Sequence, residues 1–327
     1  MKIAVIGATG LVGREMLQVI EEQGLADNEI IVAASERSVG KSLPFAGRTL
    51  TVTSVEEAIQ EQPKYALFSA GAQTSLHYAP LFAVQGTTVI DNSSAWRKDP
   101  TVPLVVPEIN LSAIKPTDRI IANPNCSTIQ MVLALSSLQK EYGIRRLVIS
   151  TYQSVTGTGM RAINQLEQEE RGEKPTEPAY HYPIHRNLFP HGGDFLPDGY
   201  TTEEQKLVDE THKIYADDTI AITATVVRVP VVGGHSESVN VELRRSFDIA
   251  TVRQQIALTP GVSVVDDPTH NLYPMPINAH HKNQVLVGRI RTDHSQANTL
   301  NLWVVADNIR KGAATNAVQI MQAIESL

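Results

Sequence analysis

The sequence predicts an α/β fold in two parts: a doubly wound parallel sheet at the amino-terminal end, then an α+β region built on a mostly antiparallel sheet. Three observations predict it. A short apolar run, Ile3-Ala4-Val5-Ile6, stops at the glycine-rich turn Gly7-Ala8-Thr9-Gly10-Leu11-Val12-Gly13. Strand-like and helix-like segments then alternate as far as residue 122, which is the pattern of a parallel sheet. Beyond residue 220 the β-branched segments 221–231, 238–243, 284–291 and 299–306 follow one another with few helical segments between them, which is the pattern of antiparallel pairing.

The first run reads as a strand buried on both faces. The turn after it has the spacing G-x-x-G-x-x-G, and Leu11, Glu15, Leu17 and Val19 carry a helix away from it. A glycine turn between strand and helix lets the backbone approach a pyrophosphate that the helix N-terminus holds, so Gly7, Thr9, Gly10, Leu11, Val12 and Gly13 are candidate cofactor contacts in a Rossmann-type domain. The second strand, 29–34, leads into Ser35-Glu36-Arg37-Ser38-Val39-Gly40-Lys41. Glu36 suits a ribose 2′-hydroxyl. Ser35, Arg37, Ser38 and Lys41 suit a 2′-phosphate, with Arg37 as its clamp, and the balance favours NADP. Further strands at 65–70 and 87–91 enclose a helix near 73–85, and the small residues Ser69 and Gly71 end the first of them, where ligands of parallel sheets collect. Arg97 lies on the polar loop after the next strand. Asn308, at the start of the last helix, completes the cofactor candidates, together with Gly157.

The strand 120–122 leads into Asn123-Pro124-Asn125-Cys126-Ser127-Thr128, which holds the only cysteine of the 327 residues. Ile129, Val132, Leu133 and Leu138 make the following segment a helix. A thiol at a helix N-terminus is drawn to its nucleophilic thiolate form, and the free N–H groups there can receive an oxyanion. Next comes a strand from Arg145 that ends near Gln153, then Gly157-Thr158-Gly159 and a helix over 160–170. Residues 172–200 read as a long loop with five prolines. Its His181, His185 and His191 form no recognisable zinc pattern, and no metal is expected. Glu203 and Lys206 share one face of the next helix. Arg228 interrupts an apolar strand and therefore needs a carboxylate partner. His235 follows Gly233-Gly234 and can move protons beside a cysteine. The segment 307–314 opens a final helix with a small-residue face, expected to return to the first domain, giving boundaries of 1–125 with 308–327, and 126–307.

Composition sets outer limits. With 42% apolar and 19% charged residues, the chain suits a soluble globule with a full core. A net charge of −7 argues against a nucleic-acid or anionic-membrane binder. A single cysteine fits a reducing compartment, and no apolar run reaches the length of a membrane span. A strand beginning at Lys2 leaves no space for a leader, so the cytoplasm is the expected location.

Taken together, the glycine turn, the Asn123–Thr128 motif, Gln153 with Gly157-Thr158-Gly159, and Arg228-Val229-Pro230-Val231-Val232-Gly233-Gly234-His235-Ser236 resemble the aspartate-β-semialdehyde dehydrogenase family, in its shorter bacterial branch. The resemblance spans essentially the whole chain. It implies a two-domain fold like that of glyceraldehyde-3-phosphate dehydrogenase, a homodimer or homotetramer, and NADPH-dependent reduction of aspartyl phosphate to aspartate semialdehyde through a cysteine thioester, with lysine, threonine, methionine and diaminopimelate as the amino acids served. By motif match it makes Cys126 the nucleophile, His235 the acid/base and Gln153 the orienter of the reacting carbonyl. Arg228 then pairs with the substrate α-carboxylate and Glu203 with its ammonium. Arg97 and Lys206 hold the phosphate, and Asn125 is a further substrate contact. Those charges complement a carboxylate, an ammonium and a phosphoryl group. The rivals are N-acetyl-γ-glutamyl-phosphate reductase, whose acylated substrate needs no acidic partner, and a non-catalytic NADP-binding paralogue, which the joint presence of Cys126, Gln153, Arg228 and His235 argues against.

Overall fold

A computed structural model describes residues 1–326, and its chain divides into two compact units. The first takes Met1–Asn125 and the chain from Ala313 onward; the second takes Cys126–Gly312. The return therefore lies at Ala313 rather than at the expected 308. Leu327 lies outside the described residues.

The first unit contains strands β1 (Lys2–Ile6), β2 (Glu29–Ala33), β3 (Ser42–Phe45), β4 (Arg48–Thr51), β5 (Tyr65–Phe68), β6 (Thr88–Asp91) and β7 (Ile120–Ala122). Its helices before the crossover are α1 (Leu11–Glu22), α2 (Val55–Gln60), α3 (Ala72–Val84) and α4 (Pro107–Asn110). Five strands form a parallel sheet in the order β2-β1-β5-β6-β7. The period of two explains why its strands are apolar throughout. Ile3 and Val5 point into one core with Met16, Leu17 and Ile20 of α1, while Ala4 and Ile6 point into another with Phe68 and Phe82. The order reverses between β1 and β5. Ile6 pairs with both Ala33 and Phe68, so Gly7, Ala34 and Ser69 leave the sheet level with one another at the switch point. The β3–β4 hairpin, turning at Ala46-Gly47, and α2, with its Ser54/Glu57 capping box, lie in a stretch the sequence reading passed over.

The second unit opens with α5 (Cys126–Tyr142), β8 (Ile144–Gln153), α6 (Met160–Glu170), α7 (Thr202–Tyr215) and β9 (Ala221–Arg228). It continues with β10 (His235–Leu243), α8 (Ile249–Ala257), β11 (Val262–Val264), α9 (Pro276–Ala279), β12 (Val285–Thr292) and β13 (Thr299–Ala306). The sheet order is β11-β12-β13-β10-β8-β9. The three inner pairings are antiparallel, and the edge pairs β11–β12 and β8–β9 are parallel. The expected antiparallel character thus holds for the centre, with a parallel strand at each margin. Helix α5 packs on this sheet beside α7 and α8. Along β10 the odd positions 235–243 are buried, whereas Ser238, Asn240 and Glu242 on the opposite face are half-buried.

The final helix begins later than its sequence suggests. Asp307 Oδ1 accepts the Ile309 and Arg310 N–H groups, and one wide π-turn, Arg310–Ala314, precedes α10 (Thr315–Glu325). Ala317, Val318, Ile320 and Met321 of α10 fill the same core as Ile3 and Val5.

Candidate active site

Cys126 is the first residue of α5, and it is partly exposed. Pro124 and Asn125 bring the chain out of β7, and Asn125 itself is buried. The sulfur therefore stands at the N-terminal end of a helix of 17 residues. Gly312 closes in beside it: a Cβ on that glycine would sit 2.8 Å from the Cys126 Cβ. No side chain larger than hydrogen fits against Cys126 there.

Strand register assembles the other three residues. Gln153 ends β8 opposite Arg228, which ends β9. His235 begins β10 one step past the Ser236–Tyr152 pair, so it falls level with Gln153. Gln153 is 1% exposed, and its Nε2 donates to the Ser127 Oγ at 3.0 Å, which places the amide against the residue that follows the cysteine. Arg228 Nη1 donates to the Ser154 carbonyl at 2.7 Å, and its guanidinium lies 5.9 Å from the centre of the Tyr180 ring. Gly157 makes the closeness possible, because a Cβ there would come within 3.0 Å of His235 Nε2 and 3.1 Å of Arg228 Nη1.

His235 Nδ1 accepts the Ser154 N–H at 3.0 Å, so the neutral ring carries its proton on Nε2. That Nε2 has no partner among the described residues. Burial, and then the nearby Arg228 charge, push the imidazole down to about 3, against the opposing pull of Glu203. The sequence reading of a histidine titrating near neutrality therefore needs correction: here the ring is neutral. Asn308 backs this arrangement: its Oδ1 accepts from Ser154 Oγ at 3.0 Å and from Thr156 Oγ1 at 2.8 Å. Asn308 and Gly157, offered as cofactor contacts, both act here on the histidine and its loop.

The charges around this group are unevenly matched. Arg228 is 7% exposed and has no carboxylate partner among the described residues. Glu203 and Lys206 pair with each other at 2.7 Å on α7, whose capping box is formed by Thr201 and Glu204. In the first unit Arg97 lies on the loop after β6, as expected, but it is buried there, and its Nη2 donates to the Asn92 carbonyl at 2.6 Å. One group of metal-ligating type occurs among the described residues, His280 with His281 and Asp307. Asp307 Oδ2 already accepts the His281 N–H at 2.8 Å and meets His280 Nδ1 at 3.1 Å, which makes the group a brace for the turn.

At the switch point of the parallel sheet lies a cavity of about 500 Å³, lined by Gly7, Thr9, Gly10, Ser35, Arg37 and Ser69 among others. Gly7 has φ +85°, and a Cβ on it would run into the Ser69 carbonyl. Gly13 lets α1 pack directly on the Gly7 carbonyl. The bare backbone and the start of α1, where Leu11 and Val12 stand, fit a dinucleotide pyrophosphate. Ser35 and Arg37 are exposed at the rim. Ser38 is not: it is buried, its Oγ accepts from Lys41 Nζ at 3.3 Å, and it does not line the cavity. Gly71, with φ +84°, is the N-cap of α3 and likewise does not line it.

Two contributors escaped the sequence reading. Tyr180 belongs to 172–200, which reads only as loop. Its hydroxyl donates to Thr158 Oγ1 at 2.9 Å, and the same segment adds a bridge from Phe189 to the edge residue Arg228. Gly312 lies 186 positions from Cys126 in sequence, and only its place within a small-residue run hinted at close packing.

The description "Semialdehyde dehydrogenase, NAD binding domain" matches residues 2–117, and "Semialdehyde dehydrogenase, dimerisation domain" matches residues 135–311. The chain is 48% identical over 331 residues to the aspartate-semialdehyde dehydrogenase of Aquifex aeolicus, covering 99% of this chain and 97% of the relative. It is 43% identical to that of Bacillus subtilis, covering 100% and 98%. Among solved structures, aspartate semialdehyde dehydrogenase II of Vibrio cholerae complexed with ASA superposes with a TM-score of 0.95 at 43% identity, covering 99% of this chain and 98% of that one.

Proposed function

The chain belongs to the aspartate-semialdehyde dehydrogenase family of oxidoreductases, and from that premise we propose that it reduces L-aspartyl-4-phosphate to L-aspartate-4-semialdehyde with release of phosphate, using NADPH and a thioester on Cys126. One observation carries the reading: a buried guanidinium with no carboxylate partner among the described residues, level with an amide and an imidazole, in the unit whose first helix begins at the cysteine. A ligand bringing its own carboxylate satisfies Arg228 bidentately.

Cys126 attacks the acyl carbon, and the bond from that carbon to the phosphate oxygen breaks as the thioester forms. The N–H groups at the start of α5 and the Gln153 amide steady the oxyanion. The departing phosphate needs a proton, and His235 supplies it. The ring gains that proton only when substrate is present, because a carboxylate on Arg228 cancels one cause of its low pKa and the phosphate dianion adds to the pull of Glu203. Ser154 Oγ, 3.3 Å from Nδ1, can accept from the charged ring. When bound, the dinucleotide supplies the hydride that reduces the thioester. Loss of the aldehyde then returns the sulfur to thiolate. Glu203 is assigned to the substrate ammonium, Arg97 and Lys206 to the phosphate, and Asn125 to a further polar contact, all by motif match.

Gly7, Thr9 and Gly10 would hold the pyrophosphate, and Arg37 with Ser35 the 2′-phosphate, which favours NADP over NAD. Full-length identity to aspartate-semialdehyde dehydrogenases favours the free amino substrate over an N-acetylated one. A homodimer, or a dimer of such dimers, is the assembly inferred, with the half-buried sheet face at Ser238, Asn240 and Glu242 as its contact. No described helix is long and apolar enough to cross a membrane, and a cytoplasmic location is inferred.

The test is an assay of the purified protein with aspartate semialdehyde, phosphate and NADP, repeated with NAD. Turnover is expected with NADP and reduced with NAD. Cys126→Ser is expected to abolish turnover while NADP binding survives; retained turnover would remove Cys126 from the mechanism.

A further inference from the structure

Alternation along β10 places Glu237 on the buried face with His235, Val239, Val241 and Leu243. A carboxyl thus occupies a core position, 0% exposed, opposite Thr151 of β8 and Val304 of β13. Neither of its oxygens has a hydrogen-bond partner among the described residues, and the same is true of Thr151 Oγ1 and Gln130 Oε1. Beside it stand the Gln130 amide and the Ser127 hydroxyl, both on α5, and they pull its carboxyl toward ionisation less strongly than burial opposes it. These two side chains are not bystanders. Ser127 follows the nucleophile and accepts from Gln153 at 3.0 Å, and Gln130 Nε2 donates to the His235 carbonyl at 3.4 Å.

We propose that Glu237 is a positioning residue for the reaction: a buried carboxyl behind the nucleophile's helix that orients Ser127 and Gln130, and through Ser127 the Gln153 amide. The inference rests on the assignment of Cys126 and Gln153 made above. The carboxyl does this as a neutral acid. Burying a carboxylate is costly, and burial is the largest influence on this one, holding it well above the usual carboxylate range. The groups facing it are Ser127 and Gln130 from α5, Thr151 from β8, Val304 from β13 and, on its own strand, the neutral imidazole of His235. A protonated carboxyl brings an O–H to a cluster holding the unmatched acceptors Gln130 Oε1 and Thr151 Oγ1. A small shift lets its carbonyl oxygen take the Ser127 O–H. The Ser127 lone pairs then face Gln153 Nε2, which settles which end of that amide turns inward.

The experiment compares Glu237→Gln and Glu237→Leu, each alone and combined with Gln153→Ala, in the intact protein. Glu237→Gln keeps shape and neutrality, so kcat and its pH profile are expected to stay within about twofold of wild type. Glu237→Leu is expected to lower kcat about tenfold, with no further loss in the Gln153→Ala background, since the effect passes through that amide. An infrared difference spectrum is expected to show a protonated-carboxyl stretch that Glu237→Gln removes. Stability supplies an independent readout. Above the ordinary glutamate pKa the unfolded chain releases a proton that the folded chain keeps, so wild type loses about tenfold in its folding equilibrium, relative to Glu237→Gln, for each pH unit gained below the raised pKa. A shifted pH profile in Glu237→Gln, or a missing protonated-carboxyl band, overturns the neutral-acid role. Additive losses in the double variant overturn the link to Gln153. Full activity in Gln153→Ala alone overturns the underlying assignment, while the infrared and stability results stand apart from it.

Discussion

Arg228 shows how a single side chain can advertise a ligand. Its strand neighbours on the same face, Ala224 and Val226, are buried hydrocarbon, and its own charge finds a carbonyl and an aromatic ring but no anion among the described residues. Arg228→Lys keeps the charge and loses the fork, so KM for aspartate semialdehyde is expected to rise about 30-fold, or about 2 kcal/mol, with a smaller change in kcat. An unchanged KM would make the residue structural. The imidazole gives a pH prediction. His235 lies near 3, and the proposed mechanism requires it to rise when substrate binds. A group that must be protonated loses its function as pH rises past its pKa. In the reductive direction kcat/KM is therefore expected to fall with pH across the neutral range, while kcat holds its plateau to higher pH; coincident limbs would refute substrate-coupled protonation. Cys126, Gln153, Arg228 and His235 were readable because each breaks a local pattern, as a thiol after a Pro-Asn turn, a polar strand end, a charge among β-branched residues, or a ring after paired glycines. Glu237 was equally out of pattern, but its strand was read as starting at 238, which hid the alternation. Tyr180 carries no local signal, since its role depends on where a long loop is laid down.

At the scale of elements, the site depends on how closely backbone segments approach. The π-turn Arg310–Ala314 brings Gly312 against the head of α5. Gly312→Ala adds one methyl where 2.8 Å separates the two Cβ positions, so the Cys126 side chain must shift. Turnover is expected to fall about 10- to 100-fold with the circular dichroism spectrum unchanged, because sub-ångström to ångström displacements of a reacting group carry that cost; unaltered kcat would show that the turn gives way harmlessly. Most elements were legible from periodicity, and α6 spans the same residues as expected, 160–170. The hairpin of β3 and β4 was missed because Pro44 and Arg48 blur the alternation in strands of four residues each. The π-turn was missed because Asp307 caps the chain there and delays the helix, a competition that composition does not reveal.

Over the whole molecule, the first unit is built from both ends of the chain. Asn316 of α10 donates to the Val105 carbonyl at 3.0 Å and to Asn123 Oδ1 at 2.7 Å, and Glu325 pairs with Lys64 at 2.5 Å. Together with the apolar face of α10 in the core, these contacts make the helix integral to the first unit rather than an appendage. Removing the chain from residue 313 onward is expected to abolish NADP binding and to expose the first unit to limited proteolysis; an intact, cofactor-binding product would disprove that dependence. Two-unit organisation was readable from the switch between strand patterns. The point of return was not, since it is set by contacts between residues nearly two hundred positions apart.

This placement of α10 has a consequence for biosynthesis. During translation the parallel sheet emerges first, yet its apolar flank stays uncovered until the last helix leaves the ribosome, after the entire second unit. The later-made unit has every segment it needs before the earlier-made one does. The nascent chain therefore carries an open hydrophobic surface for most of its time on the ribosome, a period in which chaperone contact is most useful to it.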